Sequence, residues 1–130
     1  MKEYHKIQSV FKRDPATNMK TFLLGEYADP AFEYLANNEW IFSEKVDGCN
    51  LRVMVEPCTE NGPGSVRFGG KTDAAQIPAF LVTKLNERFL SQRDRLAEIF
   101  PDGACLYGEG YGAKIQKGGG NYRPDQDFVL

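Results

Sequence analysis

Histidine, paired cysteine, long apolar runs and surplus positive charge are all scarce in this sequence, and each shortage removes a class of function. The single histidine is His5, so a Ser-His-Asp triad would have to recruit a residue beside the start of the chain, and that chemistry is set aside. The three cysteines, Cys49, Cys58 and Cys105, are odd in number and show no CxxC spacing. With one histidine they make a poor tetrahedral zinc set. They read as reduced thiols in a cytoplasmic protein. No stretch approaches the ~18 apolar residues that mark a membrane span, and Met1-Lys2-Glu3-Tyr4-His5-Lys6 lacks the apolar run of a signal peptide, so no membrane partner is expected. The 16 Lys and Arg stand against 18 Asp and Glu, a formal charge of -2. That balance argues against a domain that grips nucleic acid through bulk positive charge, while leaving room for a local basic groove.

What remains is an ordinary globular composition, 42% hydrophobic and 26% charged over 130 residues, enough for one small domain or a piece of a larger one. The patterning predicts an α+β chain. The stretch to about residue 26 reads as two strands around the polar turn Arg13-Asp14-Pro15. Asp29-Pro30 opens a short helix, because Asp caps and Pro suits the first helical position. Trp40-Ile41-Phe42-Ser43-Glu44-Lys45 suits a buried strand, joined by an Asp47-Gly48 reversal to a second, alternating strand at Leu51-Arg52-Val53-Met54-Val55. Asn61-Gly62-Pro63-Gly64 is a loop before a strand through Val66 and Phe68. From about Pro78 to Phe100, Leu81, Leu85, Phe89, Leu96 and Phe100 recur on one helical face, with the charged residues on a solvated one. Ala104 to Glu109 reads as a strand, Gly118-Gly119-Gly120 as a flexible loop, and Asp127-Phe128-Val129-Leu130 as the start of another strand. An apolar strand start at the chain's end is an aggregation hazard if unpaired, so a fragment of a longer protein is expected.

The chemistry-bearing centre is Glu44-Lys45-Val46-Asp47-Gly48-Cys49-Asn50-Leu51-Arg52. A lysine beside a tight Asp-Gly turn can enter a cleft, and it becomes nucleophilic once desolvation or a neighbouring cation lowers its pKa. By average residue usage, K-x-D-G alone arises by chance in roughly a few per cent of chains this long, and read alone it is equally a hairpin with an exposed lysine. More follows along the chain. Arg67-Phe68-Gly69-Gly70-Lys71-Thr72 places two cations on or after a strand, and Tyr107-Gly108-Glu109-Gly110-Tyr111-Gly112 sets a carboxylate between glycines. Such glycines permit close backbone approach to a ligand, and the carboxylate can accept from ribose hydroxyls. Phe128 could stack on a base. Read singly, Lys71 is a surface charge, Glu109 a turn residue and Phe128 core. Lys114-Ile115-Gln116-Lys117-Gly118-Gly119-Gly120-Asn121-Tyr122-Arg123 interleaves cations, glycine and an aromatic, as a mobile loop passing RNA would and as a solvated loop would.

In order and spacing these segments resemble the covalent nucleotidyltransferase superfamily of ATP-dependent DNA ligases, RNA ligases and mRNA capping enzymes, and most nearly the phage-type RNA ligases. The E-K-x-x-G-x-N setting is matched from Glu44 to Asn50, the G-E-x-x-G element by Gly108 to Gly112, and the D-F-x-x strand by Asp127 to Leu130. The resemblance covers roughly residues 40–130. It implies an incomplete nucleotidyltransferase domain with ATP-grasp-like antiparallel sheets and flanking helices. Residues 1–130 would be its N-terminal part, since the family's later E-G-x-V and K-x-K elements are not in the chain. It also implies ATP-dependent RNA ligation, with ATP and Mg²⁺ as cofactors and RNA ends bearing a 5′-phosphate and a 3′-hydroxyl as partners, in repair or processing. DNA ligation, guanylyl transfer to RNA, and a non-catalytic nucleotide- or RNA-binding module are the alternatives. Carried over, Lys45 forms the lysyl–AMP phosphoramide, Glu44 lies near adenine, and Gly48 makes the turn exposing Lys45. Asn50 and Arg52 lie by the ribose or the incoming strand end. Lys71, before Arg67, fills the basic position touching ribose and phosphate, Glu109 binds ribose hydroxyls, and Phe128 stacks under adenine. Cys49 departs from the small hydroxyl residue common at its position, though it is close in size.

Overall fold

A computed structural model of the chain describes residues 4, 7–60 and 62–130, so His5 and Asn61 of the sequence reading lie outside the described residues. The architecture is mixed, with antiparallel sheets and helices, in agreement with the α+β expectation. The chain divides into two compact units, one of Lys45–Leu130 with Met1–Tyr4 and the other of His5–Glu44.

In the smaller unit, β1 (Phe11–Arg13) pairs antiparallel with β2 (Phe22–Tyr27) around a 3-10 turn at Pro15–Thr17. The Asp14 carboxylate accepts from the Ala16 amide at 2.8 Å and so caps that turn. The short helix α1 (Pro30–Tyr34) starts as the sequence predicts: Asp29 accepts from the Ala31 amide at 2.8 Å, with Pro30 in the first turn.

The larger unit holds every buried residue among those described. Its sheet runs β4-β3-β5-β6, all antiparallel, from β3 (Cys49–Glu56), β4 (Ser65–Gly69), β5 (Ala104–Gly112) and β6 (Gln126–Val129). Side chains alternate between faces, and the register sorts them: Cys49, Gly110 and Phe128 share one face, Asn50, Glu109 and Val129 the other. On the first face α2 (Ala79–Phe89) lays Leu81, Leu85 and Phe89 over Leu51, Val53, Val66 and Phe128. Leu81 and Leu85 are fully buried, a gain of about 1.5–3 kcal/mol each. The backbone closes tightly here, because a Cβ on Gly110 would lie 2.4 Å from Leu81 Cδ1.

Three predicted elements differ. Residues 40–45 form no strand, and Trp40, Ile41 and Phe42 are 56%, 97% and 101% exposed. With no strand before it, Asp47-Gly48 is not a hairpin turn; β3 takes its partners from β4 and β5 instead. The single helix from Pro78 to Phe100 is two, with a 3-10 turn at Leu90–Gln92 before α3 (Arg93–Ile99). Ser91 Oγ and Gln92 Nε2 donate to the Glu87 and Arg88 carbonyls where α2 ends. The tighter turn rotates the second face, so Ala97 is buried while Leu96 and Phe100 are only partly covered. Gly119-Gly120 lie in a 3-10 turn with Gly119 buried, not in an open loop. Among the described residues no helix is long and apolar enough to cross a membrane.

Candidate active site

The pairing of β3 with β5 brings the two halves of the lysine and carboxylate motifs together across 61 residues of sequence. Asn50 stands opposite Glu109 in register, and the Asn50 Nδ2 donates to Glu109 Oε2 at 3.5 Å. The other carboxylate oxygen accepts from the Gly48 amide at 3.1 Å. Gly48 is required by crowding: a Cβ there would lie 2.0 Å from the Gly110 carbonyl oxygen and 3.1 Å from Glu109 Cγ. The neighbouring glycines of the carboxylate motif likewise make room for protein, Gly108 against the Val129 backbone and Gly112 against that of Asp125.

Lys45 is exposed just upstream of this turn, and its charge acts on Glu109. Burial pushes the Glu109 carboxyl above its ordinary value, against the downward pull of Lys45 and the Gly48 amide, and the Asp47 charge adds to the rise. A partly desolvated acceptor suits a ligand hydroxyl, which can bond a carboxylate without bringing charge. Burial, then the Glu109 charge, also raises the Cys49 thiol, so Cys49 is a protonated small residue on the core face.

The remaining predicted residues are placed as follows. Arg52 is 3% exposed; its Nε donates to the Gly70 carbonyl at 2.7 Å and its Nη2 to Asp73 Oδ1 at 2.7 Å. Its guanidinium therefore clamps the loop after β4, the loop that carries the exposed Lys71. Arg67 is paired with Glu56. Phe128, expected under a base, lies 6% exposed in the core. Its ring is 5.7 Å from Phe89 and beneath the Arg88 guanidinium at 5.0 Å, on the sheet face opposite Glu109. Glu44 is exposed and belongs to the other unit. Arg123 is held by Asp125 at 2.6 Å and by Asp127, which with Tyr111 raise its pKa further, so it is no free cation for a polynucleotide.

Two contacts to the lysine motif come from residues that the sequence reading placed in a loop, mobile or merely solvated. Tyr122 Oη accepts from the Asp47 amide at 3.3 Å, and Gln116 Nε2 donates to the Gly48 carbonyl at 3.0 Å. An aromatic and an amide among glycines were the only signal, and their partners, 75 and 68 residues away, have no local signature.

Among the described residues, no three His, Cys, Asp or Glu side chains converge to hold a metal ion. Comparison with protein-family models, with curated proteins and with solved structures finds no match to this chain.

Proposed function

We propose that this chain carries the lysine-adenylylation site of an ATP-dependent RNA ligase within a nucleotidyltransferase fold, with Lys45 as nucleophile. One observation carries the reading: the lysine turn, Asn50 and Glu109 meet on one sheet face, tied by the Gly48 amide to Glu109 at 3.1 Å. These are the segments whose order resembles the phage-type RNA ligases, and nothing in their separate positions along the chain obliges them to meet.

Lys45 Nζ, deprotonated, attacks the α-phosphorus of ATP. A P–N bond forms, the P–O bond to pyrophosphate breaks, and the amine gives up its second proton to solvent. Glu109 and Asn50 hold the ribose hydroxyls, which fixes the α-phosphate relative to the amine. Lys71 meets phosphate from the loop that Arg52 clamps. When bound, Mg²⁺ neutralises charge on the phosphate oxygens, and the exposed Asp47 is the nearby carboxylate that would hold it. AMP then passes to a 5′-phosphate end, and a 3′-hydroxyl displaces it to seal the strand. Phe128 supports the site from the core.

The test is intact-mass analysis of the full-length gene product after incubation with ATP and Mg²⁺. One added AMP is expected, lost in Lys45→Ala. Preference for GTP would point to capping chemistry and sealing of nicked DNA alone to a DNA ligase. Saturable ATP binding with no covalent product would leave a nucleotide-binding module and overturn the assignment of Lys45.

A further inference from the structure

The lysine turn is placed without the help of a strand. Residues 40–47 join no ladder, and a backbone with unmet donors and acceptors in a half-buried position must find them elsewhere. Here side chains supply them. The Asp47 amide goes to Tyr122 Oη, the Gly48 amide to Glu109 and the Gly48 carbonyl to Gln116 Nε2, at 3.3, 3.1 and 3.0 Å.

Gln116 and Tyr122 both lie between β5 and β6, in a segment that is itself fastened. The Ala113 amide donates to the Arg123 and Asp125 carbonyls at 3.2 and 3.1 Å, and Gln126 Nε2 donates to the Ala113 carbonyl at 2.6 Å. Gly119 is packed so that a Cβ would fall 1.9 Å from the Gly112 carbonyl oxygen. Tyr111 meets the Tyr122 ring edge-on with centroids 6.0 Å apart.

We propose that residues 113–123 are a clasp whose Gln116 and Tyr122 side chains position the Lys45 turn for attack. The proposal rests on reading Lys45 as the nucleophile. Both are positioning residues: they act through the backbone of Asp47 and Gly48. In-line attack is sensitive to the placement of the reacting amine, so a slackened clasp slows the covalent step without weakening the ATP complex.

The experiment compares wild type with Tyr122→Phe and Gln116→Glu and with the double variant, in the full-length protein. Phe keeps the ring and loses the acceptor, and an ionised Glu keeps the shape and loses the donor. Three quantities are read: amide hydrogen exchange at Asp47 and Gly48, the single-turnover rate of lysyl–AMP formation at saturating ATP, and the Kd for ATP. Each single variant is expected to speed exchange at the turn and to slow adenylylation about five- to tenfold, the worth of one hydrogen bond, with the Kd for ATP unchanged. Unaltered exchange and rate in the double variant would overturn the clasp, as would a loss of ATP affinity that matches the loss of rate. If wild type forms no lysyl–AMP, Lys45 is not the nucleophile and the clasp has no attack to position. Exchange at the turn then still reports whether the tethers exist, so the two failures are told apart.

Discussion

Gly48→Ala isolates the junction on which the site depends. Alanine adds one methyl group, and built on this backbone it would stand 2.0 Å from the Gly110 carbonyl oxygen, 2.9 Å from the Gly110 carbonyl carbon and 3.1 Å from Glu109 Cγ. The first two contacts are with backbone of a strand paired on both sides at that residue, so no rotamer change relieves them. The end of β3 must part from β5 by more than about 1 Å, which strains the packing by about 1–3 kcal/mol. The Cys49–Gly110 pairing and the Gly48 bond to Glu109 lie at that point, and loss of the hydrogen bond adds about 1 kcal/mol. The expected destabilisation is about 2–4 kcal/mol, read by urea denaturation, with a fall in Tm on the order of 10 °C. Gly120→Ala is the control, because nothing lies within 4 Å of the Cβ position there, and it should change stability by less than about 1 kcal/mol. A Gly48→Ala protein as stable as the control would refute the claim that the close approach is real.

Glu109→Gln tests the buried carboxylate through pH. The folded pKa of Glu109 lies above its ordinary 4.5, so its contribution to stability is complete below that value and is lost as pH rises through the raised one. Gln removes the titration, and the variant should gain on wild type in denaturation midpoints as pH rises above the ordinary 4.5, while its affinity for ATP falls. Asp125, held by Arg123 and Lys84, and Asp73, held by Arg52, have lowered pKa values and contribute in the opposite sense, their stabilisation being lost as pH falls through the folded values. They cancel in the comparison. Arg52→Lys cannot reach the Gly70 carbonyl and Asp73 together with a forked donor; a loss of about 1.5–3 kcal/mol is expected in urea, and an unchanged midpoint would deny the clamp. Phe128→Ala should cost about 3–5 kcal/mol as a core truncation, and a variant of undiminished stability that loses only ATP affinity would return the ring to the ligand.

Local chemistry made several parts of this protein legible in advance. Asp29-Pro30 opens a helix wherever it occurs in such a pattern, and Leu51–Val55, Val66–Phe68 and Ala104–Glu109 carry strand character in their own residues. The apolar face of α2 followed from the spacing of Leu81, Leu85 and Phe89. Trp40-Ile41-Phe42 failed for a reason no window could contain: a strand needs a partner, and β3 takes its partners from β4 and β5, far along the chain. The break after Phe89 failed similarly, since an unbroken period does not record that Ser91 and Gln92 turn back onto the carbonyls of α2.

By itself the sequence determined which residues could do chemistry, a lysine beside an Asp-Gly pair and a carboxylate among glycines, because nucleophilicity and hydrogen-bonding capacity belong to side chains. Only the tertiary structure decided which of them share a face. Asn50 and Glu109 meet because register is a property of two strands at once, and Phe128 turns to the core because its partner in register is Gly110 and not Glu109. Gln116 and Tyr122 reach the lysine turn only after the chain between β5 and β6 has folded back, a closure set by contacts far apart along the chain.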